Sequence, residues 1–123
     1  MNRNAAAAAI LVLVLLGGCS GQERSGVRVT GGSPELGARA IKRYGCGSCH
    51  TIPGIKGATA LVGPPLVHFS QRTFIAGELA NSPDNLARWI EDPKGVEPKT
   101  AMPDLGVSAG EARNIAAYLL SLK

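Results

Sequence analysis

From Ser33 onward, apolar residues recur in three stretches at the spacing of a helix. Leu36, Ala40, Ile41 and Tyr44 form the first, because side chains three and four positions apart share one helical face. Ser33-Pro34-Glu35 opens this stretch with a serine N-cap, a proline at the first position and an acid in the first turn. Gly45 ends it. The second stretch carries Leu86, Trp89 and Ile90, starts at Ser82-Pro83-Asp84 and is stopped by Pro93. The third starts at Ser108-Ala109-Gly110-Glu111, a capping box in which serine and glutamate satisfy each other's free amides. From it Ala112, Ile115, Ala116, Leu119 and Leu122 make a continuous stripe. Glycines and prolines between Thr51 and Ser70 predict irregular loop, and a short helical turn is expected from Arg72 to Ala80. The pattern predicts an all-α domain.

The chain ahead of Ser33 reads differently. Arg3 precedes an apolar run, Ala5 to Leu16, that is short for a membrane span and suits an export signal over residues 1–18. Leu16-Gly17-Gly18-Cys19 resembles the lipobox of bacterial lipoproteins. That resemblance implies cleavage before Cys19 and lipidation of its thiol, which would anchor the chain as buried acyl methylenes each contribute about 0.8 kcal/mol. An ordinary secretory signal that happens to end near a cysteine is the alternative. Residues 19–32 are rich in glycine, serine and charge, and are expected to form a flexible tether reaching about 20 Å. Val27 and Val29 alternate too briefly to argue a strand.

Residues 33–123 then make one small domain, whose size leaves it marginally able to bury a core unaided. The net charge of +4 falls to +3 once Arg3 leaves with the signal. Basic residues are scattered rather than striped, which argues against nucleic-acid binding.

The most specific chemistry lies in Cys46-Gly47-Ser48-Cys49-His50. CxxCH is the attachment pattern of a c-type haem: two thiols add across the porphyrin vinyl groups, and the adjacent imidazole becomes the proximal iron ligand. A structural zinc site would want further ligands, and His68 is the only other histidine. A thioredoxin-like pair would want a βαβ setting, and a plain disulfide would leave His50 without a role. Haem at Cys46 and Cys49 with lipid at Cys19 uses all three cysteines. A single CxxCH predicts one haem c, which would also supply apolar bulk to a domain with only Tyr44, Phe69, Phe74, Trp89 and Tyr118 as aromatics.

Helices at both ends, one in the middle and CxxCH directly after the first together resemble class I cytochrome c over nearly all of residues 33–123. The resemblance implies that the first and last helices cross beside the haem, with Gly37 and Ile41 meeting Ile115 and Tyr118. An aliphatic Ile41 replaces the usual aromatic, and one extra residue precedes CxxCH. Gly63-Pro64-Pro65-Leu66 matches the family's Gly-Pro-x-Leu stretch, which implies that the Pro64 carbonyl receives the N–H of His50. Met102, in Pro98-Lys99-Thr100-Ala101-Met102-Pro103, matches the family's methionine loop and is implied as the distal ligand. His68 is a weaker candidate. By the same analogy Arg72 and Thr100 stand where family members hold a haem propionate, and Trp89 where an aromatic lies near the methionine sulfur.

The stretch from Arg72 to Ile90, followed by Met102-Pro-Asp-Leu-Gly-Val, resembles more narrowly the cytochrome c domain fused to subunit II of some haem–copper oxidases. The membrane hairpin and copper cluster of that subunit are missing from this sequence. The expectation is a monomeric, membrane-anchored single-electron carrier facing the periplasm or cell exterior, not an enzyme. By analogy its partners would be a terminal oxidase and a quinol-oxidising complex. Rival expectations are the haem subunit of a periplasmic dehydrogenase, or a haem sensor with an open iron position.

Overall fold

The computed structural model describes Val29 and residues 31–123. The signal segment, Cys19 and nearly all of the expected tether lie outside these residues. Among the described residues there are four helices: α1 (Pro34–Arg43), α2 (Pro83–Glu91), α3 (Pro93–Val96) and α4 (Ala109–Leu120). Single 3₁₀ turns at Cys46–Ser48 and Phe69–Gln71 and one hairpin, β1 (Phe74–Ile75) with β2 (Leu79–Ala80), complete the order. Among the described residues no helix is long and apolar enough to cross a membrane.

The helix starts follow the sequence. The hydroxyl oxygens of Ser33, Ser82 and Ser108 accept from the N–H groups of Leu36, Asn85 and Glu111 at 3.3, 3.3 and 3.4 Å, satisfying donors that the first turn leaves free. Proline occupies the first turn of α1 and α2. Pro93 does end α2, because it lacks the N–H that the helix would need next. The same deficit is harmless at a helix start, so Pro93 opens α3, whose cap is Asp92 accepting from Gly95 N–H at 2.8 Å. The capping box at α4 is only half formed. Glu111 accepts from the Ser108 hydroxyl at 2.9 Å and turns the rest of its carboxylate to Arg43 and Tyr44 at the end of α1.

Arg72–Ala80, expected as a short helical turn, is instead the hairpin, with Ile75 opposite Leu79. Glu78 N–H closes a turn on the Ile75 carbonyl at 3.0 Å, and its two central residues, Ala76 and Gly77, have φ of 53° and 78°. Positive φ at both positions belongs to a type I′ turn and cannot be accommodated in a right-handed helix. The burial pattern agrees, with Phe74 exposed and Ile75 buried.

The last helix is the centre of the packing. Both α1 and α2 pack against it. Ala112, Ile115, Ala116 and Leu119 are buried as the stripe predicted, and so are Ala117 and Leu120; Leu122, also in the predicted stripe, lies past the helix end. The approach of α1 is close. A Cβ built on Gly37 would stand 2.1 Å from the Asn114 carbonyl oxygen, so only glycine fits that crossing. Asn114 also accepts the Ser33 N–H through Oδ1 at 2.9 Å. The domain begins earlier than its first helix. Val29 is 4% exposed, Gly32 N–H reaches its carbonyl at 3.1 Å, and a Cβ at Gly32 would meet the Arg113 carbonyl of α4. The end of the segment expected to be tether is therefore packed.

Candidate functional site

The left-handed Gly45 (φ 68°) turns the chain out of α1 into the 3₁₀ turn that carries CxxCH. His50 N–H bonds the Cys46 carbonyl at 3.0 Å, which wraps the motif around itself and sends both thiols and the imidazole towards one cavity. That cavity, of about 390 Å³, is lined by Cys46, Cys49, His50, Pro64, Arg72, Trp89, Thr100 and Met102. All eight cofactor-binding residues expected from the sequence line it; Cys19 lies outside the described residues. His68 does not line it. His68 is exposed, with φ of 49° at the start of the second 3₁₀ turn.

The floor is apolar: Ile41 of α1, Leu86 and Ile90 of α2, Ile115 and Leu119 of α4, and Ile75 of the hairpin line it. Ile41 and Ile115 are 1% and 3% exposed. The domain thus puts its best-packed aliphatic surface behind a slot of the size that takes small-molecule cofactors.

One wall is built around the imidazole. His50 Nδ1 is 2.7 Å from the Pro64 carbonyl oxygen. This fixes the tautomer, since a carbonyl only accepts, and leaves Nε2 free as a ligand atom. Gly63 N–H bonds the Cys49 carbonyl at 2.7 Å and Leu66 N–H the Thr51 carbonyl at 2.8 Å, so the Gly-Pro-Pro-Leu segment runs tightly along the motif. A Cβ on Gly63 would lie 2.4 Å from His50 Cε1; this glycine makes room for the ring. Arg72 donates to the Pro65 carbonyl, and its guanidinium stacks 4.9 Å from the Phe69 ring centroid.

Met102 stands on the loop that follows α3. Its N–H donates to Thr100 Oγ1 at 3.1 Å, Thr100 N–H to the Glu97 carbonyl at 3.0 Å, and Lys99 N–H to Glu97 Oε1 at 2.8 Å. These local bonds shape a loop that has no regular structure. The Thr100 hydroxyl thus supports the methionine backbone, a role the sequence did not suggest, while its own proton remains available to donate.

The two thiols are free rather than paired. Burial pushes the Cys46 thiol above its ordinary value, whereas redox-active cysteines are shifted down. Among the described residues no group of His, Cys, Asp and Glu could hold a bare metal ion. Two thiols, a free imidazole nitrogen and a thioether on one apolar slot are instead the donor set of a covalently held metalloporphyrin. The residues fit that group. Reading the sequence missed Phe69, Phe74, Ile75 and Leu66 in the lining; Ala76-Gly77 is not one of the usual hairpin pairs, so nothing marked Phe74 and Ile75 as hairpin residues.

The Cytochrome c family matches residues 34–123. The chain is similar to cytochrome c oxidase subunit 2 of Alkalihalophilus pseudofirmus, 34% identical over 88 residues, which are 71% of this chain and 25% of that protein. It is similar to the Bacillus subtilis subunit at 32% over 93 residues, 72% of this chain and 26% of the relative. The chain spans about a quarter of the length of these curated relatives. Among solved structures, cytochrome c2 from Rhodobacter sphaeroides shares the fold with a TM-score of 0.50 and 24% identity, covering 74% of this chain and 96% of that one. With its helices, its CxxCH turn and its slot in the family's arrangement, the chain belongs to the cytochrome c family, as a class I monohaem member that carries haem c through Cys46 and Cys49 and serves as an electron carrier.

Proposed function

We propose that this protein is a lipid-anchored single-electron carrier working outside the cytoplasmic membrane, between a quinol-oxidising complex and a terminal oxidase. Bound haem c supplies a one-electron Fe(III)/Fe(II) couple. His50 ligates through Nε2, with Nδ1–H donating to Pro64, and a hydrogen-bonded imidazole is a more basic ligand. Met102, on the same cavity, would supply its thioether as the second iron ligand. A thioether ligand would favour ferrous iron and raise the potential, and with both ligands supplied by the chain, oxygen and peroxide would be excluded. Arg72 and Thr100 hold the propionates, and Trp89 packs near the sulfur. The lipid at Cys19 keeps the domain close to membrane partners, which raises their effective concentration.

The observation that supports this reading best is that His50 and Met102 line one apolar slot with both cysteines. The oxidase partner is suggested by the likeness to proteins named cytochrome c oxidase subunit 2. Mixing the ferrous protein with carbon monoxide at neutral pH tests the reading. Slow or negligible binding is expected, and rapid stoichiometric binding would make the protein a ligand-binding haem protein instead.

A further inference from the structure

Asn81 sits between β2 and the N-cap of α2, and lines no part of the slot. Its amide is nonetheless committed to the slot's supports. Nδ2 donates to the Phe69 carbonyl at 2.9 Å and to the Arg72 carbonyl at 3.0 Å. Asn81 N–H donates to the Thr73 carbonyl at 2.9 Å. The orientation of the amide is fixed, because a flipped group would set its oxygen against two carbonyl oxygens. Oδ1 is buried and has no partner among the described residues. An orphaned buried acceptor is uncommon and calls for a reason; here both hydrogens at the other end of the same amide are in use.

Those two carbonyls belong to the residues that face the proximal wall. Phe69 stacks under the Arg72 guanidinium, Arg72 donates to the Pro65 carbonyl, and the adjoining Pro64 carbonyl takes the His50 Nδ1 proton at 2.7 Å. We infer that Asn81 is a positioning residue for the proximal ligand: it locks the Phe69–Arg72 turn so that Arg72 holds the Pro64–Pro65 backbone against His50. Its influence runs through Arg72 and the peptide of Pro65, not through contact with the cofactor. The inference rests on the reading of His50 as the iron ligand.

The test uses the mature haem-loaded protein with Asn81→Leu, which removes both donors at similar size, and Asn81→Ser as a milder variant in case the first does not fold. Asn85→Ala is the control, since Asn85 Nδ2 bonds only the Ala80 carbonyl, on the same stretch but away from the turn. In the ferrous protein the His50 Nδ1 proton is followed by NMR. Its exchange with solvent should quicken about tenfold in an Asn81 variant, the opening expected when such a brace is lost. The reduction potential should rise, because a less firmly hydrogen-bonded imidazole is a poorer ligand for ferric iron. Asn85→Ala should change neither. If both Asn81 variants keep the wild-type exchange rate and potential, or if Asn85→Ala moves them equally, the inference is wrong. If the wild-type protein itself gives no such imidazole proton, the ligand assignment fails first and separately.

Discussion

The imidazole of His50 is held 2.7 Å from the Pro64 carbonyl, and Gly63, the residue just before that proline, leaves the space in which the ring lies. Neighbouring residues thus supply the acceptor and the room. Gly63 is not in the left-handed region, so the cost of a side chain there is steric alone. Gly63→Ala should push the ring off its carbonyl, lower stability by about 1–3 kcal/mol and raise the reduction potential. Denaturant unfolding and a redox titration of the loaded protein check this; an unchanged potential would mean that the ring does not depend on Gly63.

The crossing of α1 and α4 rests on Gly37 in the same way. Alanine would normally help a helix by about 1 kcal/mol, but its Cβ would meet the Asn114 carbonyl, which is backbone and cannot rotate away. Gly37→Ala should therefore lose about 1–3 kcal/mol in urea unfolding. A gain would show that the helices part easily.

Tyr118 donates to the Pro53 carbonyl at 2.6 Å, and burial raises its phenol above the ordinary value of 10.0. Above that value the unfolded chain gives up the phenol proton before the folded one does. The stability that Tyr118 contributes is therefore complete at neutral pH and declines as pH climbs towards the folded value. Tyr118→Phe should cost about 1 kcal/mol at about pH 8, and its gap to the wild type should narrow at about pH 11. Paired urea midpoints at the two pH values decide it.

Beside the slot, Leu61 and Val62 are 75% and 82% exposed, and Val62 borders the opening. If electrons leave here, the contact is apolar, and charge screening affects it little. Stopped-flow electron transfer to an oxidase should vary by no more than about twofold between low and roughly physiological salt, while Leu61→Lys should introduce a clear salt dependence. A steep slope in the wild type would move the contact elsewhere.

Much of this architecture is legible in local chemistry. Ser-Pro starts and spaced apolar residues specify α1 and α2, and Ser108 with its stripe specifies α4, because caps and amphipathic faces are set within a few residues. CxxCH and Gly-Pro-Pro-Leu are likewise short-range signals, and the first places its own histidine. The hairpin at 74–80 was not legible as such, since its deciding feature is the backbone sign at Ala76 and Gly77 rather than side-chain spacing. Nor was the burial of Val29 ahead of the first helix, or the turning of Glu111 from its own cap to Arg43 and Tyr44. Such long-range pairings leave no periodic mark. Asn81 belongs with them: its partners are nine and twelve residues away, in a turn.

The central claim is that the Met102 sulfur would hold the haem iron together with His50. The ferric protein should show a weak sulfur-to-iron absorption band near the red end of the visible spectrum, and Met102→Ala should abolish it while leaving the covalent haem in place. A wild-type spectrum without that band, or a band that survives the substitution, would contradict the account.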